Sequence, residues 1–161
     1  MTQLPIKILF IDDDELILNA FRRALRQDGY ELHFTTDPET AFRLVKELGI
    51  DIVVADHTMP EMTGIEFFAI LRRLHEGVRR VMITGQGGRD ITIEAINTAR
   101  VERFLEKPWK NNDLRDVLRA LESDIRARRR AGLAQKEPVR AGSIMKDATG
   151  AVVLQETIRA E

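Results

Sequence analysis

The sequence predicts an α/β domain in which a parallel β-sheet carries helices on both faces. The first supporting observation is that short apolar, β-rich runs alternate five times with amphipathic segments, in units of about 20–25 residues. The second is that the run at residues 6–11 is almost continuously apolar, as expected of a strand buried on both sides. The third is that glycine or proline separates most of these segments.

The five strand–helix units follow one another along the chain. The apolar runs predict strands over residues 6–11, 30–35, 50–55, 80–84 and 103–106. The amphipathic segments predict helices that begin near residues 15, 38, 65, 89 and 112. Asp37 and Pro38 are a typical helix start, because the aspartate caps free amides and the proline suits the first helical position.

The apolar stripe of the last helix fades after Ile125. We therefore expect a domain over residues 1–125 and a C-terminal extension over residues 126–161, formed by a continuation of the helix and a tail. The extension begins with a basic patch at residues 126–130 and contains one apolar run at residues 151–154. That run is compatible with a strand, a docking segment or no ordered structure.

The composition excludes several classes of protein. The 25 basic and 26 acidic side chains give a net charge of −1, which argues against a body that coats nucleic acid or an anionic membrane. The absence of cysteine excludes disulfides, thiolate metal sites and cysteine nucleophiles. No window approaches the ~18 apolar residues of a membrane span, and the N-terminus lacks a secretory pattern. We expect a cytoplasmic protein without a membrane partner.

Polar residues follow four of the five predicted strands. The first strand is followed by three aspartates at residues 12–14, the third by Asp56 and the fifth by Lys107, while the fourth ends in Thr84. Ligands of open α/β sheets bind at the carboxyl ends of the strands, where the strand order reverses. In a doubly wound sheet ordered 2-1-3-4-5, strands one and three are neighbours there, so their carboxylates converge.

Converging carboxylates repel one another unless a cation neutralises them. Mg²⁺ suits this site, because it binds one or two carboxylates and shares oxygens with a phosphate group. Lys107 supplies a point charge and Thr84 a directional donor, which together complete a pocket for a phosphoryl group. An aspartate beside a metal and a lysine is able to attack phosphorus. The residues therefore suggest reversible phosphorylation of one aspartate.

The chain resembles the receiver domain of bacterial two-component response regulators over roughly residues 5–125. The matching segments are residues 8–13 (ILFIDD), 51–64 (DIVVADHTMPEMTG), 81–85 (VMITG) and 104–108 (FLEKP). The resemblance implies a flavodoxin-like (βα)5 fold and names Asp56 as the phosphoacceptor. It also implies that Mg²⁺ is bound by Asp12, Asp13 and Asp56, with the backbone carbonyl of Thr58.

The resemblance assigns further roles near the last strand. Lys107 would bind the phosphoryl group, Thr84 would hydrogen-bond it, and Phe104 would be the switch aromatic. The Lys107–Pro108 peptide bond would be cis. Asp14 would begin the first helix rather than bind metal, and His57 is expected on an exposed loop.

The implied partner is a sensor histidine kinase or a phosphotransfer protein, and the implied role is a signalling switch rather than an enzyme. Its phosphoryl chemistry would be limited to self-phosphorylation and self-dephosphorylation. Phosphorylation would reshape the surface of the fourth helix, fifth strand and fifth helix. A homodimer through that surface or through the extended last helix is compatible with the sequence.

Two other functions are weighed against this interpretation. Residues 12–14 contain the D-x-D spacing of haloacid-dehalogenase-like phosphatases, in which Asp12 would be the nucleophile. Against that alternative, Leu16 stands where the motif usually has threonine or valine, and no acidic strand end follows Lys107. Nucleic-acid binding through residues 126–130 is disfavoured, since a short basic patch is more often a solvated helix end.

Overall fold

The sheet of the domain contains five parallel strands. We describe a computed structural model that covers residues 3–85 and 88–132, together with the backbone of residues 142–146 and 152–156. The strands are β1 (Lys7–Ile11), β2 (Glu31–Thr35), β3 (Ile52–Asp56), β4 (Arg79–Thr84) and β5 (Arg103–Glu106). Their order is β2-β1-β3-β4-β5. The predicted (βα)5 doubly wound, flavodoxin-like fold and its strand order are confirmed.

Helices cover both faces of the sheet. They are α1 (Glu15–Leu25), α2 (Pro38–Leu48), α3 (Gly64–Leu74), α4 (Arg89–Glu94) and α5 (Asn111–Arg130). One buried core joins α1 and α5 to side chains such as Phe10 and Val54. A second core joins α2, α3 and the segment after α4 to the alternate strand residues, such as Leu9 and Val53. The strands are apolar throughout because alternate residues enter different cores.

Side chains cap the starts of three helices. Asp14 accepts a hydrogen bond from the amide of Leu16 at the start of α1. Asp37 accepts one from the amide of Thr40 at the start of α2, where Pro38 holds the first helical position. Thr63 forms a reciprocal capping box with Glu66 at the start of α3. The expected positions of Asp14 and Asp37 are confirmed.

The fourth helix changes geometry partway along its length. The sequence predicts one helix from residue 89 to about 99, but after Glu94 the backbone widens into a π-helical segment, Ala95–Ala99. The segment ends at Arg100, which adopts a left-handed conformation with φ 48°. The carbonyl of Arg100 accepts a hydrogen bond of 3.2 Å from Nε of Arg80. Tertiary contacts thus fix the end of this helix.

The fifth helix extends past the predicted boundary at residue 125. It runs unbroken to Arg130, and Gly132 follows with φ 66°. Beyond it, β6 (Gly142–Lys146) and β7 (Val152–Glu156) pair antiparallel. Residues 152–154 of the apolar run belong to β7, and Ala151 lies outside the described residues. The division at residue 125 stays a prediction.

In the part of the chain that the structure describes, no helix is both long and apolar enough to span a bilayer.

Candidate functional site

Three aspartates converge at the carboxyl edge of the sheet. Asp12 follows β1, Asp13 comes next along the chain, and Asp56 ends β3. One carboxylate oxygen of each lies within 4.8 Å of the others. Asp12 and Asp56 are buried, at 1% and 5% exposure, while Asp13 is exposed to solvent. The structure therefore brings together the carboxylates that the sequence placed on neighbouring strands.

Asp12 combines one hydrogen-bonded carboxylate oxygen with one that is buried and unpartnered among the described residues. Its Oδ1 accepts a hydrogen bond of 2.9 Å from the amide of Asp14. Its Oδ2 is buried and finds no hydrogen-bond partner among the described residues. Loss of hydration raises the pKa of Asp12 to about 6, and the negative charges of Asp56 and Asp13 contribute to the rise. A buried carboxylate oxygen without a donor fits a site for a divalent cation.

Lys107 supplies the positive charge that faces the acidic cluster. Its Nζ lies 2.7 Å from Oδ2 of Asp56. Its own amide donates to the carbonyl of Thr84, so the residue is anchored to the end of β4. Burial alone lowers the pKa of Lys107, but the hydrogen bond and the negative charge of Asp56 outweigh it and raise the pKa overall. The peptide bond between Lys107 and Pro108 is cis.

The loop after β3 folds closely over the site. The amide of His57 donates to the carbonyl of Ile83, and its carbonyl accepts from the amide of Gly64. A β-carbon at Gly64 would lie 2.7 Å from the carbonyl oxygen of Asp56. Only glycine permits this close approach without a backbone shift, so the first residue of α3 determines how the loop presents Asp56.

Oδ1 of Asp56 accepts a hydrogen bond of 3.3 Å from the amide of Thr58. Thr58 is exposed and lies in the loop over the site, and the expected metal contact of its carbonyl stays a prediction. His57 differs from expectation, because it is half-buried rather than exposed. Its Nδ1 is buried and has no hydrogen-bond partner within the described ranges.

Thr84 and Phe104 lie on adjacent strands. Thr84 ends β4 and is 6% exposed at the same edge as the acidic cluster. Phe104 is half-buried in β5 and pairs in register with Met82 of β4. Thr84 therefore lies at the site, and Phe104 lies on β5, the strand next to β4. The switch roles of these two residues stay predictions.

A stack of four aromatic rings lies beneath the site, and the sequence analysis did not identify it. Trp109 stacks on Phe21 with 4.5 Å between ring centroids and 4° between the planes. Phe21 stacks on Phe10 at 4.5 Å, and Phe10 stacks on Phe34 at 5.3 Å. We call these four residues the aromatic column. Phe21 lies in the amphipathic segment that begins near residue 15, but no local pattern indicates that residue 109 meets residue 21.

Comparison with known proteins identifies the family. The model of the response regulator receiver domain matches residues 8–119 of this chain. The chain is similar to a protein-glutamate methylesterase/protein-glutamine glutaminase 2 of Saccharophagus degradans, with 34% identity over 68% of this chain and 32% of that protein. It is 28% identical to the response regulator MprA of Mycolicibacterium vanbaalenii, over 73% of this chain and 51% of that protein. The chain thus spans about a third to a half of these two curated relatives.

A solved structure shows the same similarity in three dimensions. The signal receiver domain of an HD domain-containing protein from Pseudomonas fluorescens superposes with a TM-score of 0.75 and 27% identity. The alignment covers 81% of this chain and 96% of that chain. The residues matched by the family model include the three aspartates of the acidic cluster and Lys107. The chain belongs to the response regulator receiver domain family of two-component systems.

Proposed function

We propose that Asp56 accepts a phosphoryl group from the phosphohistidine of a sensor histidine kinase or a phosphotransfer protein. The observation that carries the proposal is the contact between Lys107 and Asp56, beside an acidic cluster whose buried Asp12 oxygen has no donor among the described residues. A cation placed there would satisfy the cluster, and Lys107 would remain available for the incoming phosphoryl group. This arrangement suits transfer to a carboxylate.

Asp12, Asp13 and Asp56, with the carbonyl of Thr58, would hold Mg²⁺. When bound, Mg²⁺ would supply positive charge to the oxygens of the phosphoryl group. An oxygen of Asp56 forms the new bond to phosphorus as the bond from phosphorus to the donor nitrogen breaks. The ammonium group of Lys107 moves from the carboxylate toward the phosphoryl oxygens, and the hydroxyl of Thr84 donates to one of them.

The proposed role is a cytoplasmic signalling switch in a bacterium rather than an enzyme that turns over an external substrate. Attack of water on the acyl phosphate would restore the aspartate and reset the switch. Thr84 and Phe104 would transmit the change, because β4 and β5 are adjacent in the sheet. The surface of α4, β5 and α5 would bind an output partner or a second copy. Ile93 and Ile96, at and just after the end of α4, are about half exposed there.

The phosphatase alternative predicts that Asp12 is the nucleophile. The geometry favours Asp56, because Lys107 pairs with Asp56, whereas Asp12 is almost fully buried and hydrogen-bonded to the amide of Asp14. A nucleophile needs an oxygen that the donor phosphorus is able to reach. Both proposals use an aspartyl phosphate, so the position of the label distinguishes them.

The test is to incubate the protein with acetyl phosphate and Mg²⁺ and to locate the added phosphoryl group by mass spectrometry of peptides. We expect label on Asp56, none in Asp56→Asn, and a change in the fluorescence of Trp109 on addition of beryllofluoride. Asp51→Asn is a matched control, because it neutralises the aspartate before the other end of β3. Label on Asp12, or undiminished labelling of Asp56→Asn, would contradict the proposal.

A further inference from the structure

Three of the four residues of the aromatic column come from β1, α1 and the connection between β5 and α5. Phe10 is in β1, two residues before Asp12, and it is fully buried. Phe21 is in α1 and is 1% exposed. Trp109 lies in the connection between β5 and α5, two residues after Lys107. The ring of Trp109 is therefore stacked on a buried part of the core, while its backbone belongs to the segment that carries the lysine.

The connection between β5 and α5 has few other anchors. It comprises residues 107–110, and β5 itself is four residues long. In contrast to α1, α2 and α3, no side chain within the described ranges caps the start of α5. The amide of Lys107 binds the carbonyl of Thr84 before the turn. After the turn, the nearly parallel stack of Trp109 on Phe21 ties the segment to the core.

We propose that Trp109 is a positioning residue for phosphoryl transfer, which holds the connection on Phe21 so that the ammonium group of Lys107 stays against Asp56. This inference rests on the proposed function of Asp56. Lys107 is one-third exposed, so solvent leaves its flexible side chain room to move unless its backbone is fixed. A displacement of about 1 Å at a reacting group is able to cost about 100-fold in rate. Loss of the stack should thus slow the reaction.

A purely structural role for Trp109 makes a different prediction. Trp109 is half-buried and packs against the core of α1 and α5, so its truncation will also lower stability. A matched control is Phe42 in α2, which stacks on Phe67 at 4.6 Å in the core on the opposite face of the sheet. Phe42→Leu removes one ring of a buried stack without touching the segment that carries Lys107.

The experiment measures the initial rate of labelling of Asp56 by acetyl phosphate with Mg²⁺, well below the melting temperature of every variant. Rates are compared for the native chain, Trp109→Leu, Trp109→Phe and Phe42→Leu. We expect Trp109→Leu to slow labelling about tenfold, Trp109→Phe to restore it to within about threefold, and Phe42→Leu to remain within about twofold. A rate for Trp109→Leu within twofold of the native chain, or a matching loss in Phe42→Leu, would overturn the inference.

A double-mutant cycle with Lys107→Ala asks whether Trp109 acts through the lysine. If it does, Trp109→Leu should change the already slow rate of Lys107→Ala by less than about twofold. A full tenfold loss in that background would mean that Trp109 acts by another route, and the inference would be wrong.

A second measurement does not depend on phosphoryl transfer. The ammonium group of Lys107 should give a resolved nitrogen–proton correlation in the nuclear magnetic resonance spectrum when an ion pair holds it, with assignment by Lys107→Arg. We expect Trp109→Leu to broaden or lose this signal and Phe42→Leu to retain it. An unchanged signal in Trp109→Leu would overturn the inference. Failure to label Asp56 in the native chain would overturn the proposed function, and this signal would still show whether Trp109 holds the ammonium group of Lys107 in place.

Discussion

Strand β3 has an aspartate at each end, and the two are in opposite electrostatic situations. Asp51, just before the strand, accepts hydrogen bonds from the amide of Lys7 at 2.9 Å and from Nη2 of Arg129 at 2.8 Å. Asp56, at the other end, shares one lysine with an acidic cluster in which an oxygen of Asp12 lacks a donor among the described residues. The amino edge of the sheet is thus satisfied within the protein, and the carboxyl edge is not.

Other charges at the amino edge are matched in the same way. Arg79 pairs with Glu102 and Asp124. Arg80 is 5% exposed, pairs with Glu102, and donates to three carbonyl oxygens. Charged groups with partners inside the protein stabilise the fold, whereas those without such partners are available to a ligand. The number of charges does not distinguish the two edges of the sheet, because both edges carry many.

The largest effect on stability is expected from Arg80→Met at the amino edge. The change leaves the carbonyl oxygens of Glu76, Val78 and Arg100 without this donor and removes one partner of Glu102. Loss of one member of a buried charge network costs about 4 kcal/mol, so the free energy of unfolding should fall by that amount in urea denaturation. A loss below about 1 kcal/mol would show that the amino edge does not depend on this network.

Asp12→Asn should raise the free energy of unfolding, whereas Arg80→Met should lower it. Well below pH 3.8 the carboxyl is protonated in both the folded and the unfolded chain. As the pH rises from about 4 to about 6, the unfolded chain ionises first, because burial raises the folded pKa from 3.8 to about 6. The native chain therefore loses stability over that window. In metal-free buffer at pH 7, we expect Asp12→Asn to unfold with about 3 kcal/mol more free energy than the native chain.

The control is the pH dependence of the difference between the two chains, since other carboxyl groups titrate equally in both. The gain from Asp12→Asn should vanish well below pH 3.8, and Mg²⁺ should stabilise the native chain more than the variant. A gain that is the same at pH 4 and pH 7 would contradict this account of Asp12.

Asp51→Asn makes the same chemical change at the satisfied edge. Here the carboxylate has two donors, and its neutralisation should lower the free energy of unfolding by about 1.5 kcal/mol. Thermal unfolding with and without Mg²⁺ measures the effect, and the stabilisation by Mg²⁺ should match that of the native chain. An increase in the free energy of unfolding in Asp51→Asn would contradict the proposed difference between the amino and carboxyl edges of the sheet.

The smallest effect is expected from Arg129→Ala. Its side chain is one-third exposed, so its ion pair with Asp51 is screened by solvent. We expect a loss of less than about 1 kcal/mol and an unchanged rate of Asp56 labelling. The measurement is urea denaturation at low and at high salt, and the loss should shrink as salt increases. A loss above 2 kcal/mol would mean that α5 depends on this pair.

The sequence was most informative where the relevant residues are close together in the chain. Runs of apolar residues marked the strands, and the aspartates directly after them marked the acidic cluster. The sequence did not predict contacts between residues that are far apart in the chain. Arg129 binds Asp51, which is 78 positions earlier, and Trp109, between β5 and α5, stacks on Phe21 of α1. Periodicity states that a residue is buried or exposed, but it does not state which residue it meets.

The π-helical end of α4 shows a second limit of sequence analysis. The residues from Arg89 to Ala99 have no local signal that would end an α-helix at Glu94. The left-handed Arg100 directs its carbonyl to Arg80, which is 20 positions earlier. The buried guanidinium group of Arg80 needs hydrogen-bond acceptors, and the carbonyl of Arg100 is one of them. This contact cannot be predicted from the sequence, because it forms only when β4 and the segment after α4 come together.

The anchoring of α5 has a consequence for how the chain is able to meet other molecules. Arg126 and Arg129 hold the last turns of the helix at the amino edge of the sheet, where they contact the carbonyl of Leu4 and the carboxylate of Asp51. The last turns of α5 therefore lie at the amino edge of the sheet, whereas the acidic cluster lies at the carboxyl edge, about 16 Å away along β3. A kinase seated over Asp56 and a molecule bound to the last turns of α5 would therefore not compete for space.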